Sequence, residues 1–345
     1  FSLGTDTAGS GRVPAALNNI VGLKPTLGAL SATGVVPACK TLDTISVFAL
    51  NVDDAYRVAS LAAQYDETDA FSRAISFPAM KRRTPLRVGV PSRDTRRFFG
   101  DELQSKAFRD ALGLLEEGEV DIVETDFEPF YEVAELLYSG TWVAERYTVV
   151  ADLLRRDPGA VHATTRSVIT AATKFSAADA FLDRYKLAAY KRRLAPVIGG
   201  VDLLCVPTIP TIVRMHEIER DPVEPNSRLG TYTNFVNLLD LCGIAVPVRS
   251  REDGLPGSLT ILAPAGKDAQ AAALGRDIHI RSGVRAGATD WSVPAAEPDD
   301  GLATSEEIEI AVVGAHMSGL PLNGELTRLG GRFLRAARTA AAYKL

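Results

Sequence analysis

Three short apolar segments, each ended by a proline, limit what this chain can fold into. They are residues 86–91 (LRVGVP), 202–207 (DLLCVP) and 243–247 (GIAVP), and their length and composition are typical of buried strands. Amphipathic stretches lie between them. In one of these, Asp101 is a candidate N-cap, apolar residues recur at helical spacing from 103 to 115, and Gly118 closes the turn. Strands separated by helices predict a layered α/β domain.

The length of 345 residues predicts about two domains. A helix-like stretch follows Gly266 as far as about residue 280, and the composition then shifts to Ala, Gly, Pro, Asp and Ser. We therefore expect one domain at residues 1–284, a linker at 285–307, and the start of a second domain at 308–345, opening with a strand. The 38 residues from 308 to 345 are too few to form a hydrophobic core of their own.

Both ends of the sequence look like parts of secondary-structure elements. Residues 2–6 resemble the end of a strand, and residues 331–344 resemble a basic helix. We therefore expect this sequence to be a piece of a longer polypeptide.

Composition and charge exclude several classes of protein. Hydrophobic residues make up 46% and charged residues 23%, as in a folded globular chain rather than a disordered, collagen-like or coiled-coil one. A net charge of −5 gives no basis for binding nucleic acid, and the sequence has no run of about 18 apolar residues that could span a membrane. Three cysteines without CxxC spacing (Cys39, Cys205 and Cys242) predict buried free thiols in a reducing compartment such as the cytoplasm, not disulfides or a metal site.

Residues 4–15 (GTDTAGSGRVPA) carry the densest signal of chemistry. Consecutive small residues let the backbone turn tightly and direct amide N–H groups to one side, as an oxyanion hole requires. Ser10 is then a candidate nucleophile, and Asp6 and Arg12 are expected to pair across the turn. The alternative is a purely structural turn or a phosphate loop, although a Walker loop is excluded because no Gly-Lys-Ser/Thr follows.

A serine hydroxyl is a weak nucleophile until a base accepts its proton. A Ser-His-Asp triad is one possible source of that base, because residues far apart in the sequence can form a triad in the folded protein. The histidines lie far from Ser10 in the sequence: His162, His216, His279 and His316. Lys24 is the nearest lysine, and its setting in GLKPT favours a structural role.

The same segments resemble the amidase signature family. Residues 4–15 and 22–26 (GLKPT) are similar to its first motif, and further segments follow in the same order: residues 34–37 (GVVP), 41–43 (TLD), 206–211 (VPTIPT), 237–247 and 254–257 (GLPG). The resemblance covers roughly residues 1–280. It implies an amidase signature fold, with a mixed central β-sheet flanked by helices, and amide hydrolysis by a Ser–cis-Ser–Lys triad without metal or cofactor.

The resemblance also assigns residues to roles. Ser10 matches the nucleophile, and the backbone amides of Thr7, Ala8, Gly9 and Ser10 match the oxyanion hole. The family's cis-Ser and Lys precede this motif, and neither is present in this sequence. We therefore expect the chain by itself to be inactive.

Two further segments resemble the allophanate hydrolase branch of the family. They are residues 137–147 (LYSGTWVAERY) and residues 308–323, the latter similar to the start of a small β-rich C-terminal domain akin to gamma-glutamyl cyclotransferases. The resemblance implies that Tyr138 and Arg146 bind allophanate, whose hydrolysis in urea degradation releases ammonia and, through N-carboxycarbamate, carbon dioxide. His316 becomes a candidate for the breakdown of that first product, with a structural role as the alternative.

The pairing of Tyr138 with Arg146 makes a geometric demand. Arginine binds a carboxylate through two parallel hydrogen bonds, and allophanate is a small carboxylate. On a continuous helix, eight residues separate the two side chains by about 12 Å and about 80°. They converge only if Arg146 reaches back or if Ser139 and Gly140 break the helix. In the alternative interpretation, Arg146 pairs with a surface acid and Tyr138 packs in the core.

Two other functions stay open. A general amidase, or the amidotransferase subunit that feeds ammonia to mischarged tRNA, shares the first motif but lacks the Tyr138/Arg146 segment and the extension from residue 308. A non-catalytic assembly module is the alternative from a different class. For the preferred function we expect a small carboxylate amide as substrate and no nucleic acid or membrane partner. Urea carboxylase is the expected protein partner, on the same or a separate polypeptide. The chain could also form a homodimer, which the sequence leaves open.

Overall fold

A mixed sheet of eight strands runs through residues 1–295, the first of two units into which the chain divides. The structure, a computed structural model, describes residues 1–81, 85–295, 310–312, 314–329, 331, 333 and 336. The strands are β1 (Ser2–Asp6), β2 (Val21–Lys24), β3 (Thr44–Ala49), β4 (Leu86–Pro91), β5 (Val120–Thr125), β6 (Leu203–Pro207), β7 (Leu241–Val248) and β8 (Gly257–Pro264).

The strands lie in the order β1-β3-β2-β7-β8-β6-β4-β5. Neighbours from β1 to β6 are antiparallel, whereas β6, β4 and β5 run parallel. The mixed sheet is confirmed. The segment predicted at 243–247 is longer than expected and continues past Pro247. Since β2 pairs only with residues 243–245, Pro247 lies beyond the last pairing on that side, where a missing N–H is tolerated.

Helices cover both faces of the sheet. The α-helices of the described residues are α1 (Val13–Leu17), α2 (Val52–Ala62), α3 (Glu102–Glu116), α4 (Glu128–Ser139), α5 (Trp142–Arg156), α6 (Ala163–Thr170), α7 (Ala177–Gly199), α8 (Met215–Arg220), α9 (Glu224–Leu229), α10 (Asn234–Leu238), α11 (Asp268–Ser282) and α12 (Asn323–Arg328). None of them is both long enough and apolar enough to cross a bilayer.

Two hydrophobic layers explain why the central strand segments are mostly apolar. On one face the core contains residues of α2, α3 and α11, and on the other it contains residues of α4, α7 and α10. Successive residues of a strand point to opposite faces. In β6, Leu203 and Cys205 join the first layer, while Leu204 and Val206 join the second. A strand covered on both sides has no polar face, which gives a continuous apolar run.

Local predictions for the helices also hold. The Asp101 side chain accepts a hydrogen bond from the Gln104 N–H at 2.9 Å and caps α3, and the Gly118 N–H donates to the Leu115 carbonyl after the helix ends. The helix-like stretch after Gly266 is α11.

All three cysteines are buried and free, as predicted. Burial raises the pKa of the Cys205 thiol to about 12, and burial is also the main cause of the raised pKa of Cys39 and Cys242. A thiol with a raised pKa is a poor nucleophile because the thiolate is the reactive form.

Residues 285–295, within the predicted linker, belong to the first unit and make contacts inside it. The Asn19 side chain donates to the carbonyls of Arg285 at 3.1 Å and Gly287 at 2.8 Å, and Ala286 is buried.

The second unit, residues 296–345, is described in part. It contains a 3₁₀ helix at Gly314–His316 and the helix α12. Of the strand expected from residue 308, residues 308, 309 and 313 lie outside the described residues, and residues 310–312 are neither strand nor helix. The helix expected at 331–344 also lies almost entirely outside the described residues.

His279 on α11 makes the stability of the fold depend on pH. It is buried, and within the described structure neither ring nitrogen has a hydrogen-bond partner. Burial lowers the pKa of His279 from 6.5 to about 4. Between these pH values the unfolded chain binds a proton that the folded chain does not, so the free energy of unfolding falls as pH falls.

We expect His279→Leu to remove this dependence. From pH 7 to pH 4.5, the free energy of unfolding of the unsubstituted chain should fall by about 2 kcal/mol more than that of the variant. Urea denaturation at the two pH values measures the difference. The control is His216→Leu at an exposed position, which should keep the original dependence. Equal slopes for the His279 variant and the unsubstituted chain would contradict the prediction.

Candidate active site

The turn that carries Ser10 is built around one carboxylate. β1 ends at Asp6, and α1 begins at Val13. Between them, the Gly9 N–H donates to Asp6 Oδ1 at 2.7 Å and the Gly11 N–H donates to Asp6 Oδ2 at 3.1 Å. The carbonyl of Gly9 accepts from the N–H groups of Arg12 and Val13 at 2.9 and 2.8 Å. The chain therefore folds back over the Asp6 side chain before it enters the helix.

Asp6 and Arg12 form a fully buried ion pair, which confirms the predicted pairing. Arg12 Nε lies 2.8 Å from Asp6 Oδ2, and Arg12 Nη2 lies 3.0 Å from Asp6 Oδ1. Burial alone would raise the pKa of Asp6, but the charge of Arg12 and its hydrogen bonds outweigh burial and hold that pKa below its ordinary value. The carboxylate stays ionised and keeps the turn closed.

Helix α10 braces this pair from a distant part of the chain. Arg12 Nη2 also donates to the Thr233 carbonyl at 3.3 Å and to Asn237 Oδ1 at 3.4 Å. Asn237 Nδ2 in turn donates to the carbonyls of Asp6 at 2.7 Å and Leu42 at 2.9 Å. Neither Thr233 nor Asn237 was predicted to belong to the site; the only signal was that Asn237 opens one of the matching family segments.

Gly9 cannot carry a side chain in this arrangement. Its φ of +127° lies in the region that L-residues rarely adopt, and a Cβ at this position would lie 2.4 Å from Thr233 Oγ1. That hydroxyl donates to the Ala8 carbonyl at 2.7 Å. The small residues of the motif are therefore required by the close approach of α10 as well as by the turn itself.

Ser10 is exposed at the tip of the turn. Across the described residues, no side chain hydrogen-bonds to its hydroxyl, and no protein acceptor is present for the N–H groups of Thr7, Ala8 and Ser10. Gly9 differs from the expectation for an oxyanion hole because its N–H donates to Asp6. Three of the four predicted amides thus have no acceptor in the described part of the protein.

No base for Ser10 is found among the residues that the structure describes. Lys24 is buried, its Nζ donates to the Pro25 carbonyl at 2.9 Å, and burial is the main cause that lowers its pKa to about 8. Neither Lys24 nor a histidine hydrogen-bonds to Ser10 in this part of the chain, so the Ser-His-Asp alternative gains no support. His316, in the second unit, has its Nε2 3.6 Å from Glu325 Oε2.

Tyr138 and Arg146 come together because the helix between them is interrupted. α4 ends at Ser139, Gly140 has extended backbone (ψ −171°), and α5 begins at Trp142. A Cβ on Gly140 would lie 2.6 Å from the Leu136 carbonyl oxygen. The break places Arg146 Cζ 4.2 Å from the centroid of the Tyr138 ring, a cation–π contact. Of the two routes that the sequence left open, the helix break is the one observed.

The alternative interpretation of these two residues does not hold. Tyr138 is 44% exposed and therefore is not packed in the core. Among the described residues Arg146 makes no salt bridge, and its buried Nε has no hydrogen-bond partner. A guanidinium that is oriented by an aromatic ring and has free N–H donors is suited to binding a carboxylate.

A cavity of about 700 Å³ lies beside this region. Thr41, Leu42, Glu145 and Asn237 contribute to its lining, whereas Ser10, Tyr138 and Arg146 do not. This cavity thus borders the elements that support the site rather than the reactive groups. His, Cys, Asp and Glu side chains in the described ranges form no group of three that could hold a metal ion.

The mixed sheet and the turn that carries Ser10 place the chain among the amidases. Residues 1–271 match the family model described as Amidase, and the chain belongs to that family. Residues 308–345 match the allophanate hydrolase C-terminal domain.

Three proteins of known name are similar to this chain, to different degrees. The urea amidolyase of Saccharomyces cerevisiae is 40% identical over 357 residues, which is 100% of this chain and 19% of that protein. The solved structure of Kluyveromyces lactis allophanate hydrolase is 40% identical with a TM-score of 0.85, over 95% of this chain and 55% of that one. A glutamyl-tRNA(Gln) amidotransferase subunit from Thermotoga maritima is 25% identical with a TM-score of 0.67, over 85% and 64%. The chain spans about half of the allophanate hydrolase and about a fifth of the urea amidolyase.

We expect Asp6→Asn to destabilise the chain strongly, because it leaves the buried charge of Arg12 without a counter-ion. The free energy of unfolding should fall by about 3–5 kcal/mol. Asp240→Asn is the matched control: it removes a carboxylate from the Arg73–Asp240 pair, whose side chains are 40% and 37% exposed, and should cost less than about 1 kcal/mol. Urea denaturation compares the two variants. Similar losses in both would show that the Asp6–Arg12 pair does not hold the turn.

Proposed function

We propose that this chain is the part of an allophanate hydrolase that carries the nucleophile and the substrate carboxylate site. The observation that carries the proposal is the Arg146 guanidinium, stacked on Tyr138 and free of salt bridges within the described residues. The 40% identity to the urea amidolyase of Saccharomyces cerevisiae and the match to an allophanate hydrolase C-terminal domain support this substrate.

The proposed reaction uses two parts of the site. Arg146 and Tyr138 hold the carboxylate of allophanate, and the hydroxyl oxygen of Ser10 attacks the terminal amide carbonyl. The N–H groups of Thr7, Ala8 and Ser10 stabilise the oxyanion, while the Gly9 N–H keeps the Asp6 carboxylate in place. The hydroxyl proton passes through a base to the leaving nitrogen, and ammonia departs. Water then hydrolyses the acyl-enzyme to release N-carboxycarbamate.

The base is proposed to come from a longer polypeptide. The described residues offer Ser10 no basic partner, and this chain covers 55% of the Kluyveromyces lactis allophanate hydrolase. A Lys and a cis-Ser from the remaining part would complete the triad that the amidase resemblance implies. Because the relatives include proteins named urea amidolyase, a urea carboxylase activity is the proposed source of allophanate. His316 is a candidate to assist breakdown of the product.

We expect Ser10→Ala to abolish ammonia release from allophanate by the full-length enzyme, with a fall in kcat of at least about 1000-fold, since no other group can form the acyl-enzyme. Ser2→Ala is the control, because Ser2 is an exposed serine on the strand that leads into the same turn, and it should leave the rate unchanged. The chain of residues 1–345 alone should release no ammonia. A Ser10 variant with the original rate would overturn the assignment of the nucleophile.

Arg146→Gln should weaken the binding of allophanate specifically. Loss of the charge should raise KM for allophanate by about 30-fold or more, while kcat/KM for biuret, in which a neutral carboxamide replaces the carboxylate, should change by less than about 3-fold. Arg156→Gln, at the exposed end of the same helix, is the control. An enzyme that cleaves biuret and other neutral amides but not allophanate would instead be a general amidase.

A further inference from the structure

We propose that Glu145 and residues 38–43 form a positioning link that fixes the Tyr138/Arg146 pair relative to the Ser10 turn. The inference rests on the proposed function, and it assigns roles in that reaction to side chains outside the nucleophile and the substrate site. One end of the link is Glu145, beside Arg146, and the other end is Asp43, beside the Ser10 turn. A tight turn at residues 39–43 joins the two ends.

The first end is Glu145, the neighbour of Arg146 on α5. Its Oε1 accepts a hydrogen bond from the Thr41 N–H at 2.7 Å. Its Oε2 accepts from the Thr41 hydroxyl at 2.7 Å and from Cys39 Sγ at 3.0 Å. Both oxygens of the carboxylate are thus used by one short segment, which ties the first turn of α5 to residues 39–41.

The second end is Asp43, which contacts the Ser10 turn. Its Oδ1 accepts from the Thr7 hydroxyl at 2.5 Å, and Thr7 carries one of the free amides. The same carboxylate accepts from the N–H groups of Ala38 at 2.8 Å and Cys39 at 3.0 Å. Asp43 is 7% exposed, so water competes little for these bonds.

The turn between the two ends is closed by its own hydrogen bonds. The Cys39 carbonyl accepts from the N–H groups of Leu42 and Asp43, both at 2.8 Å. Cys39 and Leu42 are buried, and Asn237 joins the Leu42 carbonyl to the Asp6 carbonyl. A continuous series of hydrogen bonds therefore connects α5 to the Ser10 turn.

The link also keeps Arg146 available to substrate. Consecutive residues of a helix do not face each other, and Thr41 and Cys39 occupy both oxygens of Glu145, so this carboxylate is not engaged by the guanidinium of Arg146. Burial first, and the Glu145 carboxylate second, raise the pKa of Cys39, while the charge of Arg146 opposes them. The thiol thus stays protonated as a donor to Glu145.

The test compares allophanate with biuret in the full-length enzyme. We expect Glu145→Gln to lower the ratio of kcat/KM for allophanate to kcat/KM for biuret by about ten-fold, because a displaced Arg146 loses its hold on the carboxylate while chemistry at the neutral amide is less affected. Thr41→Ala should lower the same ratio by about five-fold, and Thr41→Ser, which keeps the hydroxyl, should leave it within about two-fold of the original. Glu132→Gln, at a half-buried glutamate paired with Arg193 at 3.1 Å, should leave it unchanged.

A double-mutant cycle tests whether the two ends are connected. Thr7→Val removes the hydroxyl bound to Asp43 but keeps the backbone amide, and Thr7→Ser restores the hydroxyl. If the ends form one link, the combined effect of Glu145→Gln and Thr7→Val on kcat/KM for allophanate will be at least about three-fold smaller than the product of the single effects. Effects that multiply would show two independent contacts and overturn the link.

The controls separate failure of this inference from failure of the proposed function. If Arg146→Gln leaves the substrate ratio unchanged, the proposed carboxylate site is wrong, and the link has no role to play. If Arg146→Gln lowers the ratio but Glu145→Gln and Thr41→Ala do not, only the link is wrong. Should Glu145→Gln fail to give folded enzyme, the comparison of Thr41→Ala with Thr41→Ser decides, since both change a single exposed side chain.

Discussion

The buried ion pair between Asp6 and Arg12 is the interaction on which the rest of the site depends. Removing two charges from water is costly, and the hydrogen bonds that the pair makes to the surrounding backbone and to α10 offset part of that cost. Asp6 accepts two backbone N–H groups in addition to the guanidinium, and Arg12 reaches α10. A single carboxylate therefore closes the turn, orients Ser10, and draws a distant helix against the motif.

Much of the fold could be predicted because the signals were local. A strand buried on both faces is mostly apolar, and Pro91 and Pro207 end β4 and β6 as expected. The Asp101 cap and the Asp6–Arg12 pairing involve residues only a few positions apart, where the chain itself limits the geometry. The break at Gly140 was one of two routes that the spacing of Tyr138 and Arg146 allowed.

The residues that brace the Ser10 turn and the Tyr138/Arg146 pair could not be predicted, because their contacts join distant parts of the sequence. Thr233 and Asn237 lie more than 220 positions from the turn that they brace, and Glu145 is 104 positions from Thr41. No periodicity or spacing in a single sequence reports contacts of that range. Gly9 shows a second limit: the motif predicts small residues with exposed amides, but which amide faces Asp6 and which faces solvent depends on backbone angles that the sequence does not specify.

The interruption at Gly140 makes the proposed carboxylate site dependent on residues that do not belong to it. Tyr138 and Arg146 belong to two helices, and the angle between those helices sets the opening between the side chains. That angle is held from outside, because Asp183 on α7 accepts a hydrogen bond from the Thr141 N–H at 2.8 Å, at the point where α5 begins. A substitution at Asp183 can therefore change the separation of Tyr138 and Arg146 while both residues are kept.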